Sequence, residues 1–290
     1  MKDLEHANPI CTFLFFFEII SLTALLPHPI FTAISLLGAV VLCLIYRQCT
    51  LKRVLCYTAL FVITAFINPV FNHNGRTVLF FVNDNPITLE SVLYGLNSAG
   101  MILAVLLWFG CFSYIMTTDK LLYVFSLLSK KAALILSVAL RYVPLFFKKR
   151  REISESAKGM GVFKDDNLPD RIKGHLKVFS ALVTFGLEKG IITADSMEAR
   201  GYGVGRRSRF SPFKFSFFDG LFAAFCLCLT VSVLLGHMIA NIDFRFYPSV
   251  YWHFEQKTAP IFILFFMLSF LPCFISAKEE LKWQRLRQKI

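Results

Sequence analysis

Apolar residues gather in long runs along this chain, separated by short polar breaks. Crossing the hydrocarbon core of a bilayer takes about 20 mostly apolar residues in helical form. Ile10 to Leu26, Ile30 to Tyr46, Val54 to Phe71, Leu93 to Met116, Phe218 to Ala240 and Pro260 to Ile275 meet or approach that length. Pro27, His28 and Pro29 separate the first two. The pattern predicts an all-α polytopic membrane protein with about six transmembrane helices. The first run is expected to stay in the mature protein, because its flank is not net basic, it lacks a small-residue cleavage site, and a second run follows at once.

Between the fourth and fifth runs the pattern changes. Lys120 to Phe147 mixes apolar stretches with Lys130, Lys131 and Arg141, too interrupted for a span and too apolar for a free loop. A helix along the membrane surface or against other helices fits, with Pro144 expected to kink or restart it. A charged helix follows from about Phe146 through Lys148, Lys149, Arg150 and Arg151, and closes at Ala157, Lys158 and Gly159, where glycine suits a left-handed cap. Residues 161–170 read as a linker.

The next helix, about Arg171 to Arg200, is the most periodic. Leu176, Phe179, Val183, Leu187, Gly190, Ala194 and Met197 recur at three- and four-residue intervals and form one stripe. Gly186, Gly190 and Ala194 recur every fourth residue, a spacing that lets another helix approach closely. Three parts result: 1–116 with about four spans, 117–216 as a helical block, and 217–290 with two spans and a basic tail.

Composition strengthens the membrane reading, with 56% apolar residues and 33 phenylalanines. Charge orients it. Residues 117–216 hold 19 Lys and Arg against nine Asp and Glu, and Arg47 to Arg53 hold three basic residues and no acid. Basic loops stay in the cytoplasm, which places both termini, the 47–53 loop and the 117–216 block on the cytoplasmic side of the cell membrane. Attraction to anionic lipid headgroups is expected of such a block. Nucleic acid is not an expected partner, since no binding fold for it is visible.

Little catalytic chemistry is on offer. The eight cysteines (Cys11, Cys43, Cys49, Cys56, Cys111, Cys226, Cys228, Cys273) lack metal-ligand spacing and read as apolar filler. The six histidines are scattered, and no G-x-x-x-x-G-K-[ST] loop is present. No catalytic, metal or cofactor site is therefore expected. Glu18, the one acid deep within an expected span, reads as a helix-contact residue. A membrane enzyme or a self-sufficient secondary transporter are the rival classes, and neither shows its convergent side chains or repeated halves.

Both charged helices end in a small residue, a cation and a glycine: Ala157, Lys158, Gly159, and then Ala199, Arg200, Gly201. At a blunt helix end Arg200 complements the dipole and can offer a partner several directional hydrogen bonds. Met197 and Glu198 lie just before it. With the run Leu140, Arg141, Tyr142, Val143, Pro144 upstream, and this order of parts, nearly the whole chain resembles the transmembrane T components of energy-coupling factor (ECF) transporters. That family carries a pair of Ala-Arg-Gly motifs on two coupling helices. The resemblance implies that the two motifs dock into two ABC ATPase subunits, and that a separate membrane protein, the S component, binds the vitamin or metal ion. Lys158 stands where the family usually has Arg. Lysine keeps the charge without the planar fork, which implies weaker docking there or a matched partner.

Overall fold

The computed structural model describes residues 8–46, 50–72, 75–82, 85–161, 168–205, 213, 215–240, 244–247 and 258–287. These residues form helices α1 (Pro9–Leu25), α2 (Pro29–Ile45), α3 (Leu51–Phe71), α4 (Leu89–Ile115), α5 (Thr118–Leu128), α6 (Lys130–Gly159), α7 (Leu168–Ala199), α8 (Phe217–Ala240) and α9 (Ala259–Arg287). A short antiparallel hairpin, β1 (Val78–Val82) and β2 (Asn85–Thr88), joins α3 to α4. The protein is an all-α membrane protein. Among the described residues four segments are long and apolar enough to cross a bilayer: Leu51–Phe71, Leu89–Ile115, Phe217–Ile239 and Ala259–Ser276. The 17-residue apolar helices α1 and α2 are shorter, about 25 Å each at 1.5 Å per residue.

Local chemistry explains the breaks. The His28 Nδ1 accepts from the Ile30 amide at 3.2 Å, and Pro29 occupies the first turn of α2, where its missing N–H costs nothing. Asn8 and Pro9 open α1 in the same way, with Asn8 Oδ1 accepting from Ile10 N at 3.1 Å. The last helix runs past the expected span end near Ile275 to Arg287, carrying Pro272 within it.

The chain divides into two compact units, Met1–Leu121 with Phe213–Ile290, and Leu122–Pro212. In the first, α1, α8, α9, α2 and α4 pack in a closed circuit, each against the next. Phe15, Phe16, Phe31, Trp108, Val233 and Phe265 are sealed inside it. Edge-to-face contacts link Phe15 and Phe16 to Trp108 at 6.2 and 6.1 Å, and Phe31 to Phe265 at 5.0 Å. Such pairs contribute about 0.5–1.5 kcal/mol each beyond their area. Between helices already in lipid, close packing and hydrogen bonds do more than the hydrophobic effect. Trp108 Nε1 donates to Ser35 Oγ at 3.0 Å, Ser35 meets Thr23 Oγ1 at 2.7 Å, and Thr23 donates to the Ile19 carbonyl. This chain ties α4 to α2 and α1.

Glu18 is buried, and Thr230 Oγ1 of α8 donates to its Oε2 at 3.0 Å. It thus makes a helix contact. No disulfide links the described cysteines, and Cys49 lies outside the described residues.

Helix α3 packs on α4, and Pro69 is its only buried residue. Pro69 cannot donate to the Ala65 carbonyl. Gly95 of α4 faces that carbonyl so closely that an added Cβ would lie 2.7 Å from it. The apolar runs did not anticipate the hairpin that follows. Its base is held by Glu90, which accepts from the Thr77 amide at 3.3 Å and the Thr77 hydroxyl at 2.8 Å.

Candidate functional site

The second unit carries the residues singled out at the two helix ends. Helix α6 opens at Ser129, whose Oγ accepts from the Ala132 amide at 3.3 Å. The apolar stretch expected from Lys120 to Phe147 is therefore divided at Ser129. At Pro144 the helix does not restart, and α6 is one helix of 30 residues. A proline removes one backbone donor, and the remaining bonds of a long helix carry it through. Arg141 and Pro144 are both exposed.

Helices α6 and α7 pack through Tyr142, Phe146, Phe185, Gly186 and Thr193. The Tyr142 hydroxyl meets Thr193 Oγ1 at 2.5 Å and donates to the Lys189 carbonyl at 3.1 Å. Phe146 stacks on Tyr142 and meets the edge of Phe185. At Gly186 an added Cβ would come within 2.9 Å of the Phe146 ring, so glycine is what brings the helices this close. Lys149 and Lys189 lie over the Phe185 ring at 5.5 and 5.8 Å. Later residues of α6 meet earlier residues of α7, so the two helices run in opposite senses through the crossing.

The small-residue row is only partly used in this packing. Gly190 faces open space and Ala194 is exposed. Leu176, Phe179, Val183 and Leu187, which head the apolar stripe, are also exposed, at 59%, 63%, 46% and 66%. The stripe lies off the α6 contact, which runs along the half-buried Phe185, Lys189 and Thr193 instead.

On α7 the contact reaches Thr193, seven residues before Arg200, and on α6 Ala157 beside Lys158 is buried. Lys158 lies 12 residues past Phe146 and Arg200 lies 14 past Gly186, which is about 18 and 21 Å of helix. Because the helices run oppositely, their tips point apart, separated by roughly 40 Å at most.

The tips differ. At α7 the Gly201 amide donates to the Glu198 carbonyl at 2.8 Å and the Tyr202 amide to the Met197 carbonyl at 3.0 Å. Gly201 has φ +79°, the left-handed conformation of a Schellman cap. Ala199, Arg200 and Gly201 are exposed, with Arg200 as the last residue before the turn. Met197 and Glu198 contribute their backbone carbonyls.

At α6 the expected left-handed cap at Gly159 is not formed. Gly159 remains helical, because the Met160 amide still bonds back to the Ser156 carbonyl at 3.0 Å. The left-handed residue is Gly161, φ +67°, whose amide donates to the Lys158 carbonyl at 3.0 Å. Lys158 therefore sits two residues further inside its helix than Arg200 does. Ala157 is buried, while Lys158 and Gly159 are exposed.

Sequence comparison decides what kind of chain presents these tips. The profile of the CbiQ family, described as cobalt transport protein, matches residues 1–212. That stretch takes in α1 to α7 and both tips.

The chain belongs to the CbiQ family.

Curated relatives agree in kind. The energy-coupling factor transporter transmembrane protein EcfT 1 of Listeria monocytogenes is 32% identical over 105 residues, 36% of this chain and 40% of that protein. EcfT of Listeria innocua is 33% identical over 106 residues, 36% of this chain and 38% of its own length. EcfT of Lactobacillus helveticus is 30% identical over 118 residues, 40% of this chain and 43% of its own length. The matched stretch thus spans well under half of each relative.

In this CbiQ-family chain the charge on α6 is partly paired along its own surface. Lys149 meets Glu152 at 2.9 Å and Arg151 meets Glu155 at 2.9 Å. The hydrogen bond from Lys149 holds the Glu152 carboxyl below its ordinary value. These pairs lie one to two turns before the tip. Among the described residues no cluster of His, Cys, Asp or Glu could hold a metal ion.

Proposed function

We propose that this chain is the transmembrane T component of an ECF transporter, coupling two ABC ATPase subunits to a substrate-binding S component. The observation that carries this reading is the α7 tip. Arg200 stands on an exposed, Schellman-capped helix end, held out from a crossing that Gly186 makes close. A cation at the negative end of a helix is a stable presentation, and a guanidinium can bind a carboxylate with two parallel hydrogen bonds.

In this reading 1–116 and 217–290 form the membrane body, crossing about six times with α1 and α2 included, and 117–216 faces the cytoplasm. Both termini lie on the cytoplasmic side of the cell membrane. Ala157, Lys158 and Gly159 dock on one ATPase, and Ala199, Arg200 and Gly201 on the other. The opposed directions of α6 and α7 support two separate docking points. Arg141, Pro144, Gly186, Gly190, Ala194, Met197 and Glu198 support the two arms. The exposed apolar stripe of α7 offers a surface for the S component. The chain catalyses nothing itself; the partners hydrolyse ATP, and the cargo is a micronutrient of the vitamin or cobalt and nickel class.

The test is co-purification from native membranes in mild detergent. Two ABC ATPases should be recovered with the wild-type chain. Recovery of none, with uptake intact in their absence, would sink the assignment.

A further inference from the structure

The membrane unit holds a cavity that the coupling role does not use. It lies between α2 and α3 on the face of α4, and its volume is about 400 Å³. Leu36 and Val40 form one wall, Val54, Tyr57 and Phe61 another, and Leu103 the floor. Arg53, on the first turn of α3, lines one end. The exposed Lys52 precedes it on the same turn, and the sequence from 47 to 53 holds no acidic residue. From Leu36 to Cys43 on α2 and from Arg53 to Phe61 on α3, the slot is about 10–12 Å deep, which fits within one leaflet of about 15 Å.

Water is a poor occupant. The Thr58 hydroxyl on the wall already donates to the Leu55 carbonyl of its own helix at 3.0 Å, and buried water needs two to four polar partners. A helix from another protein is too wide, since it measures about 10–12 Å across and a piece as long as the slot would need roughly twice its volume. A flexible apolar chain with an anionic head fits both the shape and the charge.

We propose that this slot binds one anionic phospholipid, with an acyl chain between α2 and α3 and its phosphate at Arg53. The guanidinium can hold a phosphate with two parallel hydrogen bonds. The lipid fills the gap beside α4 that α3 leaves open. It belongs to the leaflet on the side of the 47–53 loop, and nothing in this assignment depends on the ECF reading.

The experiment places the full chain in nanodiscs of equal phosphatidylglycerol and phosphatidylcholine, extracts it, and counts retained lipid by native mass spectrometry. Wild type should keep one phosphatidylglycerol with at least a fivefold preference over phosphatidylcholine. Arg53→Gln should bring that preference close to one. Thr58→Trp, which fills the slot from the exposed helix α3, should remove the retained lipid while leaving gel-filtration behaviour unchanged. Leu36→Trp tests the opposite wall should Thr58→Trp fail to fold. Equal phosphatidylglycerol retention in wild type and the slot-filling variants would overturn the proposal, as would an unchanged preference in Arg53→Gln. Loss of a membrane-protein partner from the slot-filling variants, with lipid retention unaltered, would also overturn it by making the slot a protein contact.

Discussion

The ends of α6 and α7 carry nearly the same three letters and differ in conformation. At α7 the glycine is the turn: Gly201 takes the left-handed conformation, and Arg200 is the last residue before it. At α6 the corresponding glycine is one more helical residue, and the turn waits for Gly161. A Lys set two residues inside a helix shows its side chain along the flank. An Arg at the cap projects beside the last open carbonyls. The lesson is that a three-residue pattern does not define a helix end. The backbone hydrogen bonds that follow it do, and at α6 Met160 supplies one more than the pattern anticipates.

This difference can be broken in several places. Reversing charge at the cap should have the largest effect. Arg200→Glu is expected to lower ATPase co-purification at least tenfold, equivalent to about 1.4 kcal/mol or more, with membrane insertion intact; unchanged association would leave Arg200 as a cap alone. Next comes the crossing that sets both arms. Gly186→Leu forces a side chain into the Phe146 ring, and overpacking of this kind costs about 1–3 kcal/mol. A lower Tm and reduced coupled ATP hydrolysis are expected in the reconstituted complex, and neither would change if the crossing tolerates a side chain.

The glycines then separate the two tips directly. Gly201→Ala places a Cβ in the left-handed region at a cost of about 1–2 kcal/mol, so ATPase affinity measured by titration should fall several-fold. Gly159→Ala acts in the opposite direction. A helical glycine with open space around it gains about 0.5–1 kcal/mol on becoming alanine, and Tm should hold or rise slightly. Equal losses from both changes would show that the tips are conformationally alike after all. Smallest is Lys158→Arg, which restores the planar fork on a flank position and should preserve or modestly strengthen docking.

Much of the membrane unit was legible in the chain. Five of the six apolar runs coincide with helices to within about four residues, because lipid tolerates only backbone that satisfies its own hydrogen bonds, and the sixth begins with α9 but stops at Ile275 while the helix continues to Arg287. Glu18 was placed correctly as a helix contact, though Thr230 as its partner lies 212 residues away and leaves no local trace. The hairpin escaped notice because Val78 to Val82 is apolar on both faces and lacks the alternation that marks a half-buried strand.

The helical block was legible in part. Helix α7 was recognisable from its stripe, but the stripe from Leu176 to Leu187 turned out exposed, and the contact with α6 runs through Tyr142, Phe146, Gly186 and Thr193. Apolarity marks a face that leaves water and does not say what covers it. Likewise Gly186 and Gly190 look equivalent in the sequence, and only the ring of Phe146 tells them apart. The end of α7 was located to the residue, with the cap at Gly201 read correctly. Gly159 was misread because the deciding hydrogen bond comes from Met160, outside the pattern.

The central claim, that the α7 tip is an ATPase contact, is tested most directly by a photo-crosslinking amino acid placed at Arg200 and, separately, at Lys158 in the assembled complex. The account predicts an adduct with an ABC ATPase subunit from both positions, with the Arg200 position the more efficient. No ATPase adduct from the Arg200 position, in a complex that still hydrolyses ATP and transports, would contradict it.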